Sequence, residues 1–262
     1  MKNSSIAWTN HSQNFWIGCS GKNCEIKDYC YAQAQCERRG WNFKAIRPTQ
    51  ANIWSAPLRW NEEAKREGKS YRVFCSSMAD FFDKQADGIR QAAWNIIRRC
   101  EHLTWMILTK RPEDIPARLP DDWGKGYSNV WLGTTVTSEK YTHRIDQLRT
   151  VPAVRRFVSA EPLTGPLGSP SLKGFDLLIC GGMSGEGWQD HVMDLQWAKD
   201  ALALARQYNV KFFFKQVSGR RDGQQPDALG RLYQELPKGP YPWMPEPEEF
   251  TIPSDLLPAQ EN

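Results

Sequence analysis

The sequence predicts an α/β fold in which parallel strands form a complete or partial (β/α) barrel. Several short runs are apolar throughout instead of alternating, which indicates strands buried on both faces. Segments with helical spacing lie between them, and this alternation predicts parallel strands joined by right-handed crossovers. The chain has 262 residues, which is long enough for one barrel. A doubly wound open sheet is the alternative architecture.

The predicted strands recur along most of the chain. One is expected near Ile6–Thr9. The more strongly apolar runs are Arg72–Ser77, Thr104–Thr109, Asn129–Val136, Arg156–Ser159, Asp176–Cys180 and Val210–Lys215.

Helices are predicted in three of the connecting segments. In Gly88–Cys100 and Asp194–Tyr208 the apolar residues fall on one helical face. Ser138–Arg149 has a weaker pattern, with Ser138 as a candidate N-cap. The crossover Glu161–Phe175 is rich in Pro and Gly and is predicted to be a loop.

The chain is predicted to contain one barrel-like domain, residues 1–219, that includes an N-terminal cysteine loop. Hydrophobic residues make up 40% and charged residues 24%, which is typical of a globular protein and excludes a disordered one. After Gly219 the sequence becomes polar and rich in proline. Residues 220–262 are therefore expected to form an extension that packs on the surface or is mobile.

Charge and hydropathy exclude two classes of protein. The 34 Lys and Arg residues are nearly balanced by 30 Asp and Glu, whereas dedicated duplex-DNA binders are more basic. No run of about 18 apolar residues occurs, so we expect no membrane-spanning segment. The polar N-terminus lacks the apolar stretch of a signal peptide, and a cytoplasmic protein is expected.

Three cysteines near the N-terminus form the first candidate site. Cys19, Cys24 and Cys30 lie in a loop that leads into a predicted helix, and thiolates suit iron–sulfur clusters or zinc. One interpretation is a cluster with three cysteine ligands and one open iron. Another is a structural zinc site completed by Cys36 or His11, although neither gap matches a standard zinc spacing. The third is a set of unrelated buried thiols.

Polar residues follow nearly every predicted strand. Barrel enzymes keep their catalytic residues at these strand ends, where charge buried under loops would otherwise be unfavourable. For any one of these residues, a helix cap or a loop ion pair is an equally good explanation. A glycine-rich turn, Gly181–Gly185, could let the backbone approach a cofactor closely. The candidate catalytic residues are Asp80, Lys110, Glu161 and Lys215.

A series of motifs in this order resembles the phage and prophage three-Cys-motif proteins, a family of unknown function that is similar to radical S-adenosylmethionine (SAM) enzymes. The resemblance extends from about Ile6 to Pro237. The motifs are Ile6-x-Trp8-Thr9, Gly18-Cys19 to Cys30-Tyr31-Ala32, Pro57-Leu58-Arg59-Trp60, Ser77-Met78-x-Asp80-x-Phe82, Leu108-Thr109-Lys110-Arg111-Pro112, Asn129-Val130-Trp131-Leu132-Gly133, Phe157-x-Ser159-x-Glu161-Pro162-Leu163, Gly181-Gly182-x-Ser184-Gly185 and Phe213-Phe214-Lys215-Gln216.

The resemblance implies a radical-SAM-like barrel enzyme. It implies a [4Fe–4S] cluster bound by Cys19, Cys24 and Cys30, with SAM on the open iron and its reductive cleavage giving a 5′-deoxyadenosyl radical. An electron donor of the flavodoxin or ferredoxin type would supply the electron. The residues implied to line the cofactor are Gly181, Gly182 and Ser184, and those implied to face the substrate are Asp80, Lys110, Glu161 and Lys215.

The substrate implied by the resemblance is nucleic acid or a nucleotide, for phage DNA modification or repair in the host cytoplasm. The alternative is a non-enzymatic or nuclease-like phage nucleic-acid-binding protein with a structural zinc site. Two features depart from the family pattern. The cysteine gaps are x4 and x5 where the family has x6 and x2, which displaces Cys24, and Met183 stands where the family usually has Glu.

Overall fold

The computed structural model describes residues 1–22 and 24–237. Its strands form two sheets, of which the larger is central to the molecule. The strands are His11–Gln13 (β1), Trp16–Ile17 (β2), Arg47–Pro48 (β3), Tyr71–Cys75 (β4), Leu103–Thr109 (β5), Val130–Thr135 (β6), Arg155–Ala160 (β7), Leu177–Gly181 (β8) and Lys211–Gln216 (β9). β2 and β3 form a small antiparallel pair.

The seven strands of the central sheet follow the order β1-β4-β5-β6-β7-β8-β9, and all neighbours are parallel. This order never reverses, whereas a doubly wound sheet changes direction at its switch point. The sheet is therefore a curled partial (β/α) barrel, and the predicted fold class is confirmed. β1 and β9 lie at its two edges.

The helices are Tyr31–Glu37 (α1), Ala51–Glu67 (α2), Asp87–Arg99 (α3), His143–Thr150 (α4) and Leu195–Gln207 (α5). Two of the three predicted helices, α3 and α5, are confirmed to within one residue at each end. The third begins later than predicted, because Glu139–Tyr141 forms a separate 3-10 turn. Ser138 precedes that turn without capping it through its side chain.

Helix α2 was not expected from the sequence, and it contains Pro57 in its interior. Proline has no N–H, so it cannot donate the helical hydrogen bond to the carbonyl four residues earlier. Here that carbonyl belongs to Ile53, and it accepts a hydrogen bond from Gln13 Nε2 at 2.9 Å. A side chain from β1 thus replaces the bond that Pro57 removes.

The first strand does not lie where it was predicted. Residues 6–9 form a turn in which Thr9 N–H donates to Ile6 O at 3.0 Å, and the strand is His11–Gln13 instead. Its residues are polar yet buried, so they carry none of the apolar signal of the other strands. The expected strand at Ile6–Thr9 was therefore wrong, although Trp8 within it is buried.

Two separate apolar layers cover the faces of the sheet, because successive side chains of a strand point to opposite faces. The larger layer packs the sheet against the helices. The smaller one fills the concave face with buried side chains that come from the strands and from the turn that holds Trp8. Its buried members are Trp8, Phe74, Met106, Trp131, Phe157, Leu177, Ile179 and Phe213.

The start of the predicted C-terminal extension packs along β9. Phe214 N–H donates to Tyr233 O at 2.6 Å, and Glu235 N–H donates to Phe212 O at 3.1 Å. These contacts cover an edge strand that would otherwise expose unpaired backbone groups. The remainder of the extension, residues 238–262, lies outside the described residues. No helix in the described part of the chain is long and apolar enough to span a membrane.

Candidate functional site

Residues 18–22 and 24–30, here called the cysteine loop, begin at the carboxyl edge of the central sheet. Gly18 N–H donates to Met78 O at 3.1 Å, and Cys19 N–H donates to Phe43 O at 2.8 Å. Gly18 has a φ of +115°, and a Cβ there would lie 2.6 Å from Ala45 O. Only glycine adopts this φ readily and fits this space, so the fold requires a glycine directly before Cys19.

A buried ion pair holds the first half of the cysteine loop. Arg111 Nη1 lies 2.8 Å from Asp83 Oδ2, and both side chains are almost fully buried. The same guanidinium donates to Cys19 Sγ at 3.1 Å and to Lys22 O at 3.2 Å. Ser20 N–H donates to Asp83 Oδ2 at 2.7 Å. Burial alone would raise the pKa of Asp83, but the hydrogen bonds from Ser20 and Arg111 lower it to about 2.

A second buried ion pair holds the middle of the loop. Arg144 donates from Nη1 and Nη2 to the two carboxylate oxygens of Glu25, each at 2.9 Å. Thr137 Oγ1 also donates to Glu25 at 3.0 Å. Burial would raise the pKa of Glu25, and the Arg144 contacts outweigh it and lower that pKa. The pair connects the loop to α4 and to the segment after β6.

The end of the loop reaches the far side of the sheet. The Tyr29 ring packs edge-on against His191 with 4.4 Å between ring centroids, and His191 belongs to the segment after β8. Next to it, Tyr31 at the start of α1 donates its hydroxyl hydrogen to Ser77 O after β4. The cysteine loop therefore crosses the open carboxyl end of the partial barrel, here called the mouth.

The three predicted ligands differ from the other four cysteines in their exposure. Cys19, Cys24 and Cys30 are half-buried free thiols, whereas Cys36, Cys75, Cys100 and Cys180 are buried. Burial raises the pKa of Cys19 to about 11 and also raises that of Cys24. A metal would have to displace these protons on binding.

The donor set is of the soft, thiolate type that iron–sulfur clusters require. In residues 1–22 and 24–237, no three thiol, imidazole or carboxylate groups are arranged to hold a single metal ion. Each cysteine of a cluster binds a different iron, so its ligands need not meet at one point. By its chemistry, the set fits a cluster.

The two residues considered as a fourth zinc ligand have other contacts. Cys36 is buried in α1, in a small apolar cluster with Ala32 and Phe43. His11 lies in β1, where its ring packs against Trp60 at 4.6 Å and Tyr71 at 5.0 Å. Within the described residues, neither completes a three-ligand set for one ion.

Glu161 and Lys215 form an ion pair in the mouth. Lys215 Nζ lies 3.2 Å from Glu161 Oε1 and 3.7 Å from Asp222 Oδ1. Trp8 Nε1 donates to Glu161 Oε2 at 3.1 Å. A Cβ on Gly181 would come within 3.1 Å of Glu161 Oε1, so this glycine makes room for the pair. Burial would lower the pKa of Lys215, but the two carboxylates outweigh it and raise that pKa.

The rest of the glycine turn packs against the segment after β9. A Cβ on Gly182 would lie 2.2 Å from Ser218 N, so a side chain cannot be accommodated. Ser184 donates its hydroxyl hydrogen to Asp222. These contacts give Gly182 and Ser184 a packing role, and their assignment to a cofactor stays a prediction.

The Asp80 carboxylate contacts Lys110 at its backbone N–H and not at its ammonium group. Asp80 accepts hydrogen bonds from Thr109 Oγ1 at 2.8 Å, from Lys110 N–H at 3.2 Å and from Phe82 N–H at 3.0 Å. This carboxylate therefore ties the end of β5 to the segment after β4. The Lys110 side chain lines a pocket beside Cys24 instead.

Two buried polar atoms of β6 lack partners among the described residues, Trp131 Nε1 and Thr135 Oγ1. Trp131 belongs to the concave layer, and Thr135 lies four residues further along the same face. Buried polar groups are nearly always hydrogen-bonded, so an ordered water or a ligand would satisfy these two atoms. Both lie on the face that leads to the mouth.

The residues that hold the cysteine loop carry no signal in the sequence. Arg111 stands within a quoted motif, but nothing in the motif indicates its contact with Cys19. Glu25 and Arg144 are 119 positions apart, and Asp83 lies outside every motif. Asp222, which faces Lys215, lies in the segment that was expected to be an extension.

The chain matches the model of a family described as protein of unknown function (DUF5131) over residues 3–239. No curated protein sequence matches it. Similar solved structures include a doubly substituted spore photoproduct lyase with bound AdoMet and dinucleoside spore photoproduct, at 11% identity and a TM-score of 0.46, covering 83% of this chain and 58% of that one.

Another similar structure is spore photoproduct lyase complexed with dinucleoside spore photoproduct, at 12% identity and a TM-score of 0.46. That match covers 79% of this chain and 63% of the other. The chain thus spans about three fifths of the length of these structures.

Proposed function

The chain belongs to the DUF5131 family, whose function is unknown, and we propose that it is an iron–sulfur enzyme of the radical SAM type. Cys19, Cys24 and Cys30 would bind a [4Fe–4S] cluster that leaves one iron open for SAM. With SAM bound, this group would supply an organic radical after one-electron reduction by a flavodoxin- or ferredoxin-type donor. The substrate would be nucleic acid or a nucleotide.

The observation that carries this proposal is the placement of the cysteine loop. Its three half-buried thiols lie across the mouth of a parallel partial barrel, where the strand ends of barrel enzymes carry their catalytic groups. Two buried ion pairs fix the loop in that position, Asp83–Arg111 and Glu25–Arg144.

The charges at the mouth support a cationic ligand there. Two carboxylates, Glu161 and Asp222, face one ammonium group, that of Lys215, which leaves one net negative charge. The amino group of SAM is a cation, and Met183 offers it only a weak thioether acceptor. We assign Glu161 the role of accepting a hydrogen bond from this amino group, since the Asp80 carboxylate already accepts several.

The remaining residues of the mouth would orient the ligands and exclude water. Lys215 stays protonated because two carboxylates raise its pKa, and it holds the Glu161 carboxylate in place. Trp8 closes the other side of that carboxylate.

Metal analysis of protein purified without oxygen tests the proposal. We expect a brown protein that contains iron and acid-labile sulfide, and we expect Cys19→Ala or Cys30→Ala to lose both. Cys100→Ala is the matched control, because Cys100 is buried in the core and should leave the iron content unchanged. A colourless protein with stoichiometric zinc would instead support a nucleic-acid-binding protein with a structural zinc site.

A further inference from the structure

A pocket of about 460 Å³ lies beside the cysteine loop, outside the Glu161–Lys215 pair. Its walls come from the loop, from the segment after β5 and from the start of α4. Lys27, Lys110 and Lys140 line it together with Tyr141 and Glu113. We call it the basic pocket. Its volume is within the range of about 300–1,000 Å³ that is common for small-molecule sites.

The charges of the basic pocket are not balanced. Two other charged side chains in its wall, Glu25 and Arg144, form a bidentate ion pair, so their charges cancel. None of the three lysines forms an ion pair with a carboxylate of the described residues, and Glu113 is the remaining acidic side chain in the wall. The pocket therefore has an excess of two positive charges around a concave surface.

Such an arrangement favours an anion. Cations that share a cleft repel one another and focus a positive potential inside it, and a bound anion relieves both effects. Lysine is a common phosphate ligand, since its ammonium is a compact charge with three donors. Tyr141 adds a partly exposed aromatic surface to the same wall.

We propose that the basic pocket binds a phosphate group of the substrate, with Lys27, Lys110 and Lys140 as its ligands. The inference rests on the proposed function only for the identity of the substrate as a nucleotide or a nucleic acid strand. Phosphate binding here would hold the adjoining part of the substrate at the cysteine loop, since Cys24 lines the same pocket.

Fluorescence anisotropy with a labelled single-stranded oligonucleotide tests this assignment. We expect Lys140→Gln and Lys27→Gln each to weaken binding several-fold and to reduce the salt dependence of log K by about one unit. Glu113→Gln should tighten binding, because it removes the opposing charge. Lys199→Gln, which removes an exposed lysine on α5, is the control and should change neither quantity.

Competition identifies the source of the phosphate. A mononucleotide that displaces the labelled strand with similar affinity indicates a free nucleotide, and displacement only by longer strands indicates a nucleic acid. Both outcomes support the basic pocket as a phosphate site on one further condition. Inorganic phosphate should displace the labelled strand weakly from the wild-type protein and less effectively from the lysine variants. Equal losses of oligonucleotide affinity in Lys140→Gln and Lys199→Gln would overturn the proposal, and so would an unchanged affinity in Glu113→Gln. Binding of an acidic protein in place of any phosphate ester would also overturn it.

The measurement is made on the full-length protein purified without oxygen, and the iron content of each sample is determined alongside. Oligonucleotide binding is compared between variants of equal metal content, so failure of the iron–sulfur proposal leaves this test unaffected. If the protein contains iron but its oligonucleotide binding is unchanged in Lys27→Gln and Lys140→Gln, the pocket assignment alone is wrong.

Discussion

The guanidinium of Arg111 is shared between a carboxylate, a thiol and a carbonyl oxygen. Asp83 supplies the opposite charge at 2.8 Å, and Cys19 Sγ accepts a hydrogen bond at 3.1 Å. Burial and the Asp80 carboxylate keep the pKa of the Cys19 thiol raised, and they outweigh the Arg111 cation, which lowers that pKa. Arg111 thus both positions the loop and acts on the charge of Cys19, a proposed cluster ligand.

The ion pair makes folding stability depend on pH. The pKa of Asp83 is about 2 in the folded protein, below its ordinary value of 3.8. Its contribution is therefore present above about pH 4 and is lost as the pH falls toward 2. A shift of this size corresponds to roughly 2 kcal/mol. We expect Asp83→Asn to lower the free energy of unfolding at pH 7 by at least this amount.

Urea unfolding at several pH values measures this effect. The difference between the wild-type protein and Asp83→Asn should shrink as the pH falls from 4 toward 2. Asp122→Asn is the control, because the Asp122–Arg98 pair is solvent-exposed and should contribute little. A difference for Asp83→Asn that stays constant between pH 7 and pH 3 contradicts this interpretation.

The charge at the mouth predicts how SAM binding responds to substitution. Glu161→Gln removes the proposed acceptor of the amino group and should weaken binding by about one to two decades, the equivalent of one charge-assisted hydrogen bond. Met183→Glu adds a carboxylate in the same turn and should tighten binding. Calorimetry on anaerobically reconstituted protein measures both, with Glu101→Gln at an exposed site as the control. Unchanged affinity in Glu161→Gln would remove Glu161 from the cofactor site.

Among the elements, the cysteine loop depends on the conformation of its first residue. An alanine at position 18 would need a positive φ and would push its Cβ into the Ala45 carbonyl. We expect Gly18→Ala to destabilise the protein by about 1–3 kcal/mol and to reduce its iron content. Gly88→Ala is the matched control, because a Cβ there meets nothing within 4 Å and helix α3 favours alanine. Equal iron content in the two variants would show that the cysteine loop tolerates a different backbone conformation at position 18.

The helix α2 depends on a side chain from β1. Gln13→Leu should leave the Ile53 carbonyl without its donor and cost about 1–2 kcal/mol. In a Pro57→Ala background the helix supplies its own N–H donor, so the same substitution should cost less. A double-mutant cycle by urea unfolding measures the coupling between the two positions. Independent, additive effects would mean that Gln13 does not replace the missing helical bond.

The elements that sequence could predict are those with an apolar signal. Strands β4 to β9 are apolar on both faces, and each was found close to its expected position. β1 is three polar residues, and α2 contains a proline, so neither pattern indicated its structure. The cysteines were visible as a motif, whereas Glu25–Arg144 joins residues 119 positions apart through the fold alone.

At the scale of the whole molecule, the partial barrel brings three chemically distinct regions to one end. The cysteine loop crosses the mouth, the Glu161–Lys215 pair lies beneath it on the concave side, and the basic pocket opens beside it. Each comes from segments that follow different strands of the sheet. The parallel order of β4 to β9 is what places all of these segments at the same edge.

In the proposed function, the three cysteines hold a redox-active cluster with an iron open to SAM. Electron paramagnetic resonance of the anaerobic, dithionite-reduced protein tests it most directly, recorded with and without SAM. We expect the signal of a reduced [4Fe–4S] cluster that changes when SAM is added and is absent in Cys30→Ala. A protein that contains zinc and gives no such signal, or a cluster signal that SAM leaves unchanged, would contradict it.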